Sequence, residues 1–171
     1  MKIIQTAIVM AALLAPVFIS SANASPDDTS DMRPAAIHAV PLKLDDGQIR
    51  LDDLRGQVVL LDFWASWCGP CRQSFPWMNS LQKDLGSEGF KVVAINLDEN
   101  RSDAERFLQD VPAEFDIAYD PDGEMATAMD VMGMPMSYLI DREGRVRHSL
   151  IGFTESRKKV HEQHIRELLA E

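Results

Sequence analysis

At 171 residues the chain is long enough for one domain with a substantial core plus appendages. Its composition, 46% hydrophobic and 26% charged, is ordinary for a globular protein. The net charge of −10 argues against nucleic acid and against an anionic membrane surface as partners, and favours solubility.

Residues 1–24 read as a secretory signal peptide. Lys2 supplies the positive end, Ala7 to Ile19 is apolar and interrupted by Pro16, and Ser20-Ser21-Ala22-Asn23-Ala24 ends in a small-x-small cleavage pattern. A retained anchor needs about 20 uninterrupted apolar residues, more than this stretch offers. Cleavage after Ala24 is expected, with no following cysteine to carry a lipid, which places the mature protein in the periplasm. Residues 25–36 are polar, acidic and proline-bearing, and are expected to form a flexible lead-in to a domain spanning 37–171.

Val40 to Leu44 is a possible strand, Asp45-Asp46-Gly47 a turn, and Gln48 to Leu51 its hairpin partner. After Gly56, Val58 to Trp64 is a nearly continuous apolar run, the pattern of a strand buried on both faces. Trp67-Cys68-Gly69-Pro70-Cys71 follows and holds both cysteines of the chain. Phe75, Met78, Leu81 and Leu85 then recur at helical spacing, and the helix is expected to end near Gly86. Phe90 to Ile95 reads as the next strand, parallel to the first because a helix crosses between them.

Ser102-Asp103-Ala104-Glu105 has the pattern of a capping box. Ala104, Phe107, Leu108 and Val111 give its helix an apolar face, and Pro112 stops it. A short strand near Asp116–Tyr119 runs into the turn Asp120-Pro121-Asp122-Gly123. Met125, Ala128, Met129 and Met132 form a further helical stripe closed by Gly133. Ser137–Asp141 and Arg145–Ile151 suggest an antiparallel hairpin through Gly144. A final helix carries Val160, Ile165, Leu168 and Leu169, with His161 and His164 expected on its solvated face.

A Cys-x-x-Cys between a buried strand and a helix is a dithiol that can open and close reversibly. Cys68 is expected at or just before the helix N-terminus, where unpaired amides and the positive dipole end favour thiolate. Cys71, one turn further in, is expected to be less exposed. A purely structural disulfide closing so short a ring gains little loop-closure entropy. A structural zinc site needs four ligands, and His38, His148, His161 and His164 lie at no zinc-finger spacing. No cofactor and no metal site is expected. Trp67 is expected to shield the dithiol, with Trp64 and Phe63 in the core.

With the dithiol placed, the chain from about Val40 to Ala170 resembles the TlpA/ResA-like branch of thioredoxin-fold proteins, exported thiol–disulfide oxidoreductases. The resemblance rests on Leu61 to Arg72, on Pro76, and on Gly133-Met134-Pro135 leading into Tyr138 to Asp141. It implies an α/β thioredoxin fold: a central mixed sheet flanked by helices, with an N-terminal β-hairpin and a central αβ insertion between Asn96 and Tyr119. By that resemblance Pro135 aligns with a cis proline that faces the sulfurs and exposes the Met134 backbone to an extended substrate. A turn proline starting the strand Ser137–Asp141 is the alternative.

Asp62 is a carboxylate inside an apolar strand, costly unless neutral or paired. Burial raises an acid's pKa, which suits a proton acceptor near neutrality. The resemblance places an aspartate here behind the second cysteine, as the base that helps deprotonate Cys71; pairing with Lys91 is the alternative. Ser74 departs from the pattern, since branch members linked to cytochrome c maturation often carry Glu there. The Gly69-Pro70 dipeptide matches reducing thioredoxin, whose potential lies near −270 mV.

The expected activity is therefore reduction of protein disulfides, with Cys68 as nucleophile, Cys71 as resolving thiol and Asp62 as base. Trp67, Gly69, Pro70, Met134 and Pro135 are expected to contact substrate. The resemblance implies a membrane electron-delivery protein as the donor that restores the dithiol, and a monomer is expected. Met132, Met134 and Met136 could line a substrate groove or, as soft thioethers, hold Cu(I) in a copper-delivery module. A peroxiredoxin-like peroxidase is the other rival, though the usual Pro-x-x-x-Thr-x-x-Cys context is missing.

Overall fold

The structure, a computed structural model, describes residues 41–171. The signal peptide, the lead-in and the start of the domain at Ile37 lie outside the described residues. Strands β1 (Leu42–Leu44), β2 (Gly47–Ile49), β3 (Val58–Trp64), β4 (Phe90–Asn96), β5 (Asp116–Tyr119), β6 (Met136–Ile140) and β7 (Val146–Ile151) form one sheet in the order β2-β1-β5-β4-β3-β6-β7. Helices α1 (Cys71–Leu85), α2 (Arg101–Asp110), α3 (Glu124–Ala128) and α4 (Glu155–Ala170) flank it.

The sheet is mixed. β3 pairs with β4 and β4 with β5 in parallel, while β6 runs antiparallel to β3 and β7 antiparallel to β6. Parallel neighbours require crossovers, and α1 and α2 supply them. β3 lies between β4 and β6 and every one of its residues is buried, as its apolar run predicts. Successive side chains alternate between faces. Val58, Leu60 and Trp64 join the apolar layer under α1, α2 and α4, whereas Val59, Leu61 and Phe63 join Met125, Met129 and Tyr138 on the other face.

Four sequence expectations need correction. Helix α1 begins at Cys71 itself, not a turn earlier: the Pro70 carbonyl accepts from Gln73 N–H (3.0 Å) and Ser74 N–H (3.2 Å), making Pro70 the cap. Helix α2 starts after Asn100 rather than Ser102, because the Asn100 carbonyl already accepts the Asp103 N–H at 3.0 Å.

The methionine stripe does not continue as helix past Ala128. The Met129 carbonyl accepts the Tyr138 hydroxyl at 2.5 Å, and Asp130 turns left-handed with φ 52°. Met132 is consequently thrown outward, 80% exposed.

On α4 it is His161, with Ile165 and Leu168, that faces the core, while Val160 is exposed. The Trp77 indole of α1 lies 6.0 Å from the His161 ring and donates to Glu162 Oε1 at 2.9 Å, fixing the helix rotation. His164 also leaves the solvated face, stacking on His148 of β7 at 4.1 Å.

Candidate active site

The site is built where β3 ends and α1 begins. Cys68 and Cys71 are joined as a disulfide with Cα atoms 5.3 Å apart. The turn before it is closed by Cys68 N–H donating to the Ala65 carbonyl at 3.0 Å. Cys71 N–H, the first amide of α1, donates to Cys68 Sγ at 3.2 Å. An amide aimed at that sulfur, at the positive end of a helix, favours charge on Cys68 over charge on Cys71. Both sulfurs are more enclosed than the sequence suggests: Cys68 is only 5% exposed and Cys71 fully buried.

Trp67 does not provide that enclosure, since 72% of its surface is in solvent. The sulfurs instead belong to the apolar cluster of Trp64, Phe75, Trp77 and Phe107, against which Met134 packs. Trp64 lies 4.9 Å from Phe75 and 4.8 Å from Phe107, ring centre to ring centre. Phe107 comes from α2, so the αβ insertion packs directly into the core beneath the site. Trp67, Gly69 and Pro70 are left as the exposed rim. A Cβ added at Gly69 would meet nothing within 4 Å.

Asp62 shares its face of β3 with Leu60 and Trp64, and so points toward the layer that contains Cys71. The carboxyl is buried, and burial pushes its pKa from the usual 3.8 up to about 7. Ser137, opposite Asp62 in the β3–β6 register, opposes that shift by donating its hydroxyl to Oδ1 at 2.5 Å. Oδ2 is buried with no partner among the described residues. Lys91 is engaged elsewhere, 2.7 Å from Asp116, so the alternative Asp62–Lys91 pair is not formed. Ser137 escaped the sequence reading; its only signal is a hydroxyl inside an otherwise apolar strand.

The Met134–Pro135 peptide bond is cis. Pro135 is buried, its carbonyl accepts Gly152 N–H at 2.8 Å, and the next residue, Met136, pairs with Phe63 at the end of β3. Ser74 is buried in α1, its hydroxyl donating to the Cys71 carbonyl at 3.1 Å. The three methionines diverge: Met132 is exposed, Met134 packs on the layer that holds the sulfurs, and Met136 joins the opposite core. That divergence argues against a shared Cu(I) site.

Comparison with known proteins identifies the family and the fold. Residues 33–149 match the AhpC/TSA family, and the chain belongs to it. The thiol-disulfide oxidoreductase ResA of Bacillus subtilis is 36% identical over 110 residues, covering 64% of this chain and 62% of that protein. The chain thus spans just under two thirds of that relative's length. ResA of Bacillus cereus is 29% identical over 144 residues, covering 84% of this chain and 82% of the relative. Among solved structures, one bearing the name thiol:disulfide interchange protein DsbE, from Chlorobium tepidum, superposes with a TM-score of 0.77 at 48% identity. It covers 83% of this chain and 98% of that one. The thioredoxin-type arrangement expected from the sequence is shared with these proteins.

Proposed function

We propose that the chain is an exported thiol–disulfide oxidoreductase that reduces protein disulfides in the periplasm. The observation that carries the reading is the pairing of a Cys68–Cys71 disulfide at the head of α1 with a buried carboxyl, pKa about 7, on the sulfur side of β3. The oxidoreductase names of the ResA and DsbE relatives support it.

In the reduced protein the Cys68 thiolate attacks one sulfur of a substrate disulfide. The substrate S–S bond breaks, a Cys68–substrate bond forms, and the departing thiolate takes a proton. Cys71 then loses its proton toward Asp62 and attacks Cys68 Sγ. The Cys68–Cys71 disulfide forms, and the second substrate sulfur is expelled as a thiolate that takes its proton from Asp62 or water, so the substrate leaves with both sulfurs reduced. Two electrons and two protons have passed to the substrate. An external dithiol, delivered through a membrane electron-transfer protein, returns the pair to the reduced state. Exposed Trp67, Gly69 and Pro70 form the rim against which the substrate lies, and the Met134 backbone ahead of the cis Pro135 pairs with it.

Cys71→Ser is expected to accumulate mixed disulfides with protein substrates, and Cys68→Ser is not. Trapping by Cys68→Ser instead would reverse the roles. Turnover of hydrogen peroxide in place of protein disulfides would replace the reading with a peroxidase. The reduction potential of the pair, measured against a glutathione series, then decides whether the chain donates or accepts electrons.

A further inference from the structure

The turn that carries the nucleophile is tied to the neighbouring strand through one carboxylate. Asp98 lies just past the end of β4 and is almost fully buried. Its Oδ2 accepts the Ser66 backbone N–H at 2.9 Å, and its Oδ1 accepts the Ser66 hydroxyl at 2.9 Å. Asp98 is itself clamped by Asn96: the Asn96 amide donates to Oδ2 at 2.7 Å, and Asp98 N–H donates back to Asn96 Oδ1 at 3.1 Å. Asn96 is buried at the end of β4, where its register partner is Trp64, the last residue of β3.

Ser66 is a central residue of the Ala65–Cys68 turn. Its two donors face the two oxygens of one carboxylate, so the Ala65–Ser66 peptide that opens the turn is held against rotation and sliding. Where that peptide sits decides where Cys68 Sγ sits, and hence whether the Cys71 N–H reaches it. Trp67, exposed at the rim, has little packing to hold the turn from its own side.

We propose that Asp98 is a positioning residue for thiol–disulfide exchange: through Ser66 it holds the turn that presents Cys68 to the first amide of α1 and to the substrate. The step it serves rests on the redox reading above. Its role as a positioning group and its role as a mere charge predict opposite signs. A negative charge near a thiol disfavours the thiolate, so removing a charge alone lowers the Cys68 pKa. Loosening the turn weakens the amide–sulfur contact and raises it.

The test is iodoacetamide alkylation of the reduced full chain across pH, read on Cys68 by peptide mass spectrometry, together with kcat/KM for a protein disulfide. In Asp98→Ala the alkylation profile is expected to move to higher pH, and exchange to fall roughly tenfold or more. Asp98→Asn keeps the shape and one acceptor, and the Ser66 hydroxyl can turn to accept its amide. It is expected to recover part of both losses, whereas a charge-only role makes Asn and Ala alike. Ser66→Ala, which removes one arm at a part-exposed position, is expected to shift both readouts the same way by less, and it decides the matter if Asp98→Ala does not fold. A Cys68 profile that stays in place or moves to lower pH in a folded Asp98 variant overturns the proposal. A wild-type chain that exchanges no disulfides overturns the redox reading instead, while the alkylation profiles still report on Asp98.

Discussion

Replacing Asp62 with Asn exchanges a buried acid for an amide of the same shape, and its effect on stability should depend on pH. The folded chain holds Asp62 protonated up to a pKa of about 7, against 3.8 when the group is solvated. Below the lower value both states are protonated and Asp62 makes no pH-dependent contribution. As pH rises the unfolded chain ionises first, so stability is lost progressively until the folded carboxyl ionises near 7. With ~1.4 kcal/mol per pKa unit, the full loss is about 4 kcal/mol, and more than half of it falls between about pH 5 and about pH 8. Asn cannot ionise. Its amide nitrogen takes the place of Oδ2, which has no partner among the described residues, at a pH-independent cost of about 1–3 kcal/mol.

Asp62→Asn is therefore expected to gain about 2–3 kcal/mol on wild type across that interval, whatever its offset at the acidic end. Urea unfolding of the two oxidised proteins at both pH values measures this difference, and every other titrating group cancels in it. Equal differences at the two pH values would refute both the buried, raised carboxyl and its use as a base near neutrality.

Ser137→Ala removes a hydrogen bond that holds the Asp62 pKa down, so the pH at which exchange rises should move upward. A downward move in the pH–rate profile contradicts that. Trp67→Ala should change unfolding free energy by no more than about 0.5 kcal/mol, because the ring is mostly solvated. It should also cut exchange with protein disulfides about fivefold, or 1 kcal/mol, while iodoacetamide alkylation persists; equal losses toward both would deny it a substrate role. Phe107→Ala empties a buried site against Trp64 and Phe75 and should cost about 3–5 kcal/mol in urea unfolding, and a loss under 1 kcal/mol would show that the insertion does not brace the core.

Much of this was legible in the sequence because it is local. The apolar run Val58–Trp64 returned as β3 with the same limits, and Asp116–Tyr119 as β5. The place of Cys68 and Cys71 between strand and helix needed only the change from a continuous apolar run to helical spacing. The cost of burying Asp62 followed from its position among apolar neighbours, before any partner was known.

What the sequence left open depended on which strands lie side by side. Ser137 meets Asp62 across 75 residues because β6 docks against β3 in one register, and a slip of one residue would turn the hydroxyl to the other face. The α3 stripe has helical spacing as far as Met132, yet the helix stops where Asp130 turns left-handed and the Val131 N–H returns to the Ala126 carbonyl. His161 looked solvated beside Val160 until the Trp77 indole set the rotation of α4. Periodicity reports which face of an element is apolar, while the polar partners of a site come from the register between elements, and that register is fixed only when the sheet closes.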